Sequence, residues 1–225
     1  MLVAETFASL QGEGMLAGVP SFFIRTSGCN LRCSWCDSRY TSWDPEGQHI
    51  GVDELIVQAR ASGLRHVVVT GGEPLLQREV GVLTSNLREA GFHITIETAG
   101  TVAPEVACDL LSVSPKTSCS DPVGRWAERH RRVRSDLEPL RSLLRRHDEF
   151  QLKFVIREVA DLKEVQEVVG SVGPVADERV LLMPEGRTVE EVRKRAPMVA
   201  ALCLETGFRY TPRLHLDLFG GGRGV

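Results

Sequence analysis

Three cysteines, Cys29, Cys33 and Cys36, stand together in the segment Gly28-Cys-Asn-Leu-Arg-Cys-Ser-Trp-Cys-Asp37. Thiolates at this C-x3-C-x2-C spacing can ligate three irons of a [4Fe–4S] cluster, and the loop offers no fourth. One iron would then be open to an exogenous ligand, which suits chemistry better than electron carriage alone. A zinc site would want a second tight pair of ligands. Cys108, Cys119 and Cys203 are scattered singly and no His-x3-His pair follows, so they read as small core residues. A disulfide framework fits poorly: three of the 6 cysteines in 225 residues crowd into one loop, and no secretory signal precedes them.

A second segment with chemical potential is Gly71-Gly-Glu-Pro74, placed directly after the apolar run His66-Val-Val-Val-Thr70. Two glycines let a backbone approach a ligand closely, and the Glu73 carboxylate can accept from an ammonium group. Alone, such a turn would serve any tight strand–helix connection. Gln11 and Glu13, with the backbone of Leu10 and Gly12, could match a heterocycle edge that both donates and accepts; Gln and Glu are not favoured turn residues. Arg25 ends an apolar strand, where an inward charge wants an anionic partner and an edge position would simply face water.

The elements that must position these residues alternate. Strands are expected at Phe22-Phe-Ile-Arg25, His66–Thr70, His93–Glu97, Leu110–Ser114, Gln151–Ile156, Val180–Met183 and finally Leu214–Leu218. Helices are expected from an Asp53 N-cap to near Gly63, over 76–90, over 161–169 and over 188–206. Strand–helix alternation predicts an α/β fold with a parallel sheet and right-handed crossovers, its polar, glycine-rich segments at the carboxyl ends of the strands. The length suits one domain over residues 1–225, with a basic helical insertion near 120–148. There Arg125, Arg129, Arg131, Arg132, Arg134, Arg141, Arg145 and Arg146 outnumber Glu128, Asp136 and Glu138. Such a patch could contact RNA or a reductase, but with only Trp126 interleaved a solvated helix face is the better reading.

Hydrophobic content of 42%, charged content of 25% and a net charge of −3 describe a soluble globular protein with no general attraction to nucleic acid or anionic membrane. No apolar run approaches a membrane span, and a reducing cytoplasm suits exposed cluster thiolates.

The cysteine loop followed by Gly71-Gly-Glu-Pro74 resembles the radical S-adenosylmethionine superfamily. Further segments narrow the resemblance: Leu10-Gln-Gly-Glu-Gly14, Gly18-Val-Pro-Ser-Phe-Phe-Ile-Arg25, Cys36-Asp-Ser-Arg-Tyr-Thr41, Glu97-Thr-Ala-Gly100, Ser114-Pro-Lys116, Leu152-Lys-Phe154, Leu182-Met-Pro-Glu-Gly186 and Arg213-Leu-His215. Together they are similar to the 7-carboxy-7-deazaguanine synthase family of queuosine and 7-deazapurine biosynthesis, over nearly the whole chain. The resemblance implies a partial, open (β/α) barrel of about six units with parallel strands. It implies a carbon–nitrogen lyase that converts 6-carboxy-5,6,7,8-tetrahydropterin into 7-carboxy-7-deazaguanine with loss of ammonia. A glycyl-radical-type activating enzyme and a non-catalytic iron–sulfur carrier are the alternatives.

The implied cofactors are a [4Fe–4S] cluster on Cys29, Cys33 and Cys36, S-adenosyl-L-methionine and Mg2+. For S-adenosylmethionine the resemblance indicates Trp35, Asp37, Gly71, Gly72, Glu73, Ser114, Pro115, Lys116, Leu182, Met183, Pro184 and Glu185. For the pterin it indicates Leu10, Gln11, Gly12, Glu13, Arg25, Thr70 and Val225, and for Mg2+ the Ser38 hydroxyl. Implied partners are the small-molecule pterin, a flavodoxin- or ferredoxin-type reductant and a second copy in a homodimer, with no nucleic acid and no membrane.

Overall fold

Largely apolar strands, several of them buried along all or nearly all of their length, build one nine-stranded sheet. The computed structural model describes residues 1–224; Val225, and with it its expected part in the pterin site, lies outside the described residues. The chain runs β1 (Leu2–Leu10), β2 (Pro20–Thr26), α1 (Arg39–Ser42), β3 (Gln48–His49), α2 (Val52–Ala61), β4 (His66–Gly71), α3 (Val80–Glu89), β5 (His93–Thr98), β6 (Leu110–Val113), α4 (Ala127–Ser135), α5 (Glu138–Arg146), β7 (Phe150–Ile156), α6 (Asp161–Ser171), β8 (Val180–Pro184), α7 (Val189–Thr206), β9 (Arg209–Tyr210) and α8 (Leu214–Phe219). The spatial order is β3-β1-β2-β4-β5-β6-β7-β8-β9. Strands β2 and β4 to β9 are parallel. Each is added to the same edge in sequence order, so right-handed crossovers lay their helices on one face and leave the other to curl into an open barrel.

The strand period of two then sorts the side chains. Phe22, Ile24, Val67, Val69, Ile94, Ile96, Leu111, Val113, Leu152, Phe154, Val180 and Leu182 enter the apolar core beneath α2, α3, α5, α6 and α7. Their neighbours Phe23, Arg25, Thr70, Glu97, Ser112, Lys153, Val155 and Met183 line a cavity on the opposite face. Transfer of the first set out of water drives folding. The second set is left free for function.

Several elements depart from the sequence reading. Strand β1, not expected, pairs antiparallel with β2 and β3, so the parallel sheet carries an antiparallel edge. The region 76–90 is a short 3-10 turn, Pro74–Leu76, followed by α3. Gly51 rather than Asp53 is the N-cap of α2. The expected final strand over Leu214–Leu218 is the helix α8, and β9 is the last strand. Pro212 has no N–H for the ladder, whose last bond is Thr211 N to Leu182 O at 3.0 Å; the chain then turns and closes one helical segment on Gly220. The arginine-rich segment forms the helices α4 and α5, with Arg125, Arg129, Arg131, Arg132, Arg145 and Arg146 exposed to solvent. Leu140 and Leu143 on its other side enter the core, and Arg134 is half-buried between Asp121 and Glu164. Cys203 belongs to the core and Cys108 packs against it, whereas Cys119 lies outside it. No helix among the described residues is long and apolar enough to cross a membrane.

At the amino ends of the strands His66 bridges three of them, with one ring nitrogen 2.5 Å from Ser21 Oγ and the other 2.8 Å from Thr95 Oγ1. Burial lowers its pKa to about 4. The unfolded chain takes up that proton near pH 6.5 and the folded one does not, so stability should rise with pH between about 4 and about 6.5. His66→Gln should flatten the dependence of the thermal midpoint on pH across that window; an unchanged slope would assign the dependence to other groups.

Candidate active site

The cavity, about 470 Å3, opens at the carboxyl ends of the parallel strands and brings together most of the residues singled out above. Cys29, Cys33 and Cys36 line it, with free thiols. Burial pushes the Cys29 and Cys33 thiols up to about 12 and raises Cys36 as well, so the loop alone holds neutral thiols that iron would have to deprotonate. Leu31 N donates to Cys29 Sγ at 3.4 Å, and Ser42 Oγ lies 3.2 Å from Cys36 Sγ. Among the described residues no three His, Cys, Asp or Glu side chains converge as one metal ion requires. A cluster spreads its thiolates over separate irons, and the donor set fits it.

The glycines of Gly71-Gly-Glu-Pro74 serve protein contacts first. A Cβ on Gly71, at φ +139°, would lie 2.1 Å from Thr26 O; one on Gly72 would lie 2.3 Å from Gly28 O and 2.7 Å from Thr41 O. The loop is therefore clamped under the cysteine loop, with Glu73 N bonded to Gly28 O at 2.9 Å. Gly71 and Gly72 still line the cavity, and Glu73 lies fully buried behind them. Its oxygens accept from Thr98 Oγ1 (2.7 Å), Ala99 N (2.8 Å) and Leu75 N (3.1 Å), which leaves little capacity for a ligand ammonium. Ser114, Lys116, Met183 and Glu185 reach the cavity, whereas Pro115, Leu182 and Pro184 are not among its lining residues. Trp35 also lines it, with Lys116 Nζ 5.6 Å from the indole centroid.

The cavity also has a polar wall joined by a series of hydrogen bonds and ion pairs. Thr70 Oγ1 donates to Glu97 Oε2 at 2.9 Å, and Gln11 Nε2 donates to Glu97 Oε1 at 3.1 Å. Lys153 Nζ is 4.0 Å from Glu97 and ion-paired with Glu13. Arg213 Nε donates to Glu13 Oε1 at 3.1 Å, and its Nη2 donates to Asp37 Oδ2 at 2.5 Å, directly after the last cysteine. Burial alone would raise Glu13 and Asp37, but the guanidinium and, at Glu13, the ammonium hold both carboxyls well below the usual range. Ser38 is the N-cap residue of α1, but its hydroxyl makes no capping bond and donates instead to Asp37 Oδ1 at 3.0 Å. Arg25 already has an anionic partner, Glu5 Oε1 at 2.8 Å, and lies over Phe7, which stacks on Phe23. Leu10 and Gly12 complete the wall, and a Cβ on Gly12 would strike His215 at 2.1 Å.

Glu97, Lys153, Arg213 and His215 occur in the segments quoted above, yet the sequence reading assigned them no part in the site. One signal was available: a lone lysine within the apolar run Gln151–Ile156, which costs too much to bury without a purpose.

A model of the radical SAM superfamily matches residues 23–117. The 7-carboxy-7-deazaguanine synthase of Rhodopirellula baltica is 43% identical over 229 residues, covering 100% of this chain and 89% of that protein. That of Halobacterium salinarum is 45% identical over 231 residues, covering 96% of this chain and 90% of that protein. The chain belongs to the 7-carboxy-7-deazaguanine synthase family. The crystal structure of QueE from Escherichia coli, at 27% identity, superposes with a TM-score of 0.68 over 95% of this chain and 94% of that one. The two chains thus share this fold over nearly their full length.

Lys153 provides the most direct test of the buried wall. Lys153→Met leaves the Glu13 carboxylate without its ammonium and should cost about 3–5 kcal/mol in denaturant unfolding. Adding Glu13→Gln should recover part of that loss, and a single variant as stable as the parent would contradict the ion pair.

Proposed function

We propose that this chain is a radical S-adenosylmethionine synthase that converts 6-carboxy-5,6,7,8-tetrahydropterin into 7-carboxy-7-deazaguanine with loss of ammonia. The observation that carries the reading is a single cavity lined both by three free thiols and by the linked residues Gln11, Glu13, Glu97 and Lys153. Cys29, Cys33 and Cys36 would hold the [4Fe–4S] cluster. With S-adenosylmethionine bound, the reduced cluster supplies a 5′-deoxyadenosyl radical. Trp35, Ser114, Lys116, Met183 and Glu185 would seat the adenosine, and the Gly71-Gly72 backbone would border the methionine end. Glu73 acts through the loop that it fixes.

Gln11, Glu13, Thr70 and Glu97 are held by mutual bonds, so their remaining donors and acceptors are fixed before a pterin edge meets them. The carboxyl oxygens of Glu13 and Glu97 accept from ring N–H groups, and the buried Lys153 lies beside both. Arg25 would share its guanidinium between Glu5 and the substrate carboxylate. Ser38, with Asp37 beside it, would give Mg2+ a sparse set of protein oxygens that water and the substrate carboxylate complete. The reductant is a one-electron carrier of flavodoxin or ferredoxin type. A homodimer and a cytoplasmic location belong to the proposal on the resemblance alone.

The test is anaerobic reconstitution with iron and sulfide, followed by dithionite, S-adenosylmethionine, Mg2+ and 6-carboxytetrahydropterin, with the product identified by mass. A 7-carboxy-7-deazaguanine peak is expected; 5′-deoxyadenosine without that peak would discard the substrate. Arg25→Ala should lower pterin turnover far more than uncoupled cofactor cleavage, and equal losses would contradict its role. Chelating Mg2+ should slow turnover and leave the cluster spectrum intact, whereas unaffected turnover would contradict a metal-binding role for Ser38.

A further inference from the structure

The arginines of the 120–148 segment are not spread evenly over its helices. Arg32 lies in the cysteine loop itself, between Cys29 and Cys33, and its backbone N–H donates to His130 Nδ1 of α4 at 3.0 Å. Ser120 Oγ is 3.0 Å from the other ring nitrogen of His130, and Ser34 N donates to Ser120 O at 2.9 Å, so this segment is fastened to the loop. The guanidinium of Arg32 folds over Trp126, 4.9 Å from the ring centroid, and its Nη1 donates to Cys29 O and Leu31 O, both at 2.7 Å. Arg125 and Arg129 lie over the same ring at 5.1 and 5.9 Å.

Arg125, Arg129, Arg131 and Arg132 are exposed, and Val123 beside them is 94% exposed. Over residues 125–135 five arginines face one acid, Glu128, in a chain whose net charge is −3. Asp121 is already engaged by Arg134. Arg32 and Trp126 take no part in the cavity wall, so this surface leaves the cavity unobstructed.

We propose that the face formed by Arg32, Arg125, Trp126, Arg129, Arg131 and Arg132 docks an acidic one-electron carrier protein. The carrier gives up one electron to the cluster held by Cys29, Cys33 and Cys36, and no covalent bond changes at the contact. The proposal rests on the reading of those cysteines given above. A concentrated positive patch on a chain of net negative charge steers an acidic partner to one face. Arg32 and its bonds to the loop carbonyls connect that face to the cysteines in a few contacts. An RNA would meet the same charge, but Trp126, the only aromatic here, is already covered by guanidinium groups and offers no stacking platform.

Arg125 and Arg129 make no ion pair among the described residues, so their reversal should leave the fold intact. The cluster-loaded chain and its Arg125→Glu/Arg129→Glu variant would be titrated with a purified flavodoxin over a range of salt. The variant should bind about tenfold or more weakly, with a flatter dependence on salt. Its 5′-deoxyadenosine formation should fall when flavodoxin is the reductant and stay at the parent level with dithionite. Equal flavodoxin affinity in the two chains would overturn the proposal, as would equal losses under both reductants. Loss of tRNA binding with flavodoxin affinity unchanged would overturn it in favour of nucleic acid. A parent that yields no 5′-deoxyadenosine with dithionite would sink the functional reading, and the flavodoxin titration would still decide the docking.

Discussion

The period of two along the parallel strands is the constraint on which the molecule depends. Every core residue committed to the helices commits its neighbour to the concave side, and the one-directional winding puts all of those neighbours around one space. Phe154 and Ile96 cannot pack under their helices unless Lys153 and Glu97 face the cavity. Charges in such a place are costly to desolvate, and the structure meets that cost by joining them into one network with fixed geometry.

That network also joins the two halves of the site. Arg213, arriving from the far end of the chain, holds Glu13 of the β1–β2 turn and Asp37 of the cysteine loop. In the proposed function the turn would meet the pterin and the loop the cofactors, so one buried guanidinium would set their separation. On the opposite flank Gly72 allows the Gly71-Gly72-Glu73 loop to press against Gly28 and Thr41. The cysteines are thus gripped from the strand ends, from the C-terminal segment and, through His130, from α4. Fixing the reacting groups before ligands arrive spares the reaction the cost of ordering them.

Much of this was legible in the sequence. The cysteine spacing, the strand-terminal glycines and the apolar runs place the cavity and its metal-binding side, because each is a local pattern with a local cause. Alternation within Leu182-Met-Pro-Glu185 was equally available and would have separated Met183 and Glu185 from Leu182 and Pro184. The remainder is long-range. That Lys153 pairs with Glu13, 140 residues away, and that Glu73 spends its oxygens on Thr98 and Ala99, are consequences of packing that no single segment displays. Leu214–Leu218 shows the converse failure: its alternation mimics a strand, but Pro212 and the sheet edge leave it nothing to pair with.

The central claim is that the concave wall receives the pterin while the cysteine side receives the cofactors. The most direct measurement is a crystal structure of the cluster-loaded chain with S-adenosylmethionine, Mg2+ and 6-carboxypterin. The account predicts the heterocycle edge against Gln11, Glu13 and Glu97, its carboxylate toward Arg25 and Ser38, and the adenosine beside Trp35. A pterin seated outside the cavity, or turned with its carboxylate toward Lys153 and away from Ser38, would contradict it.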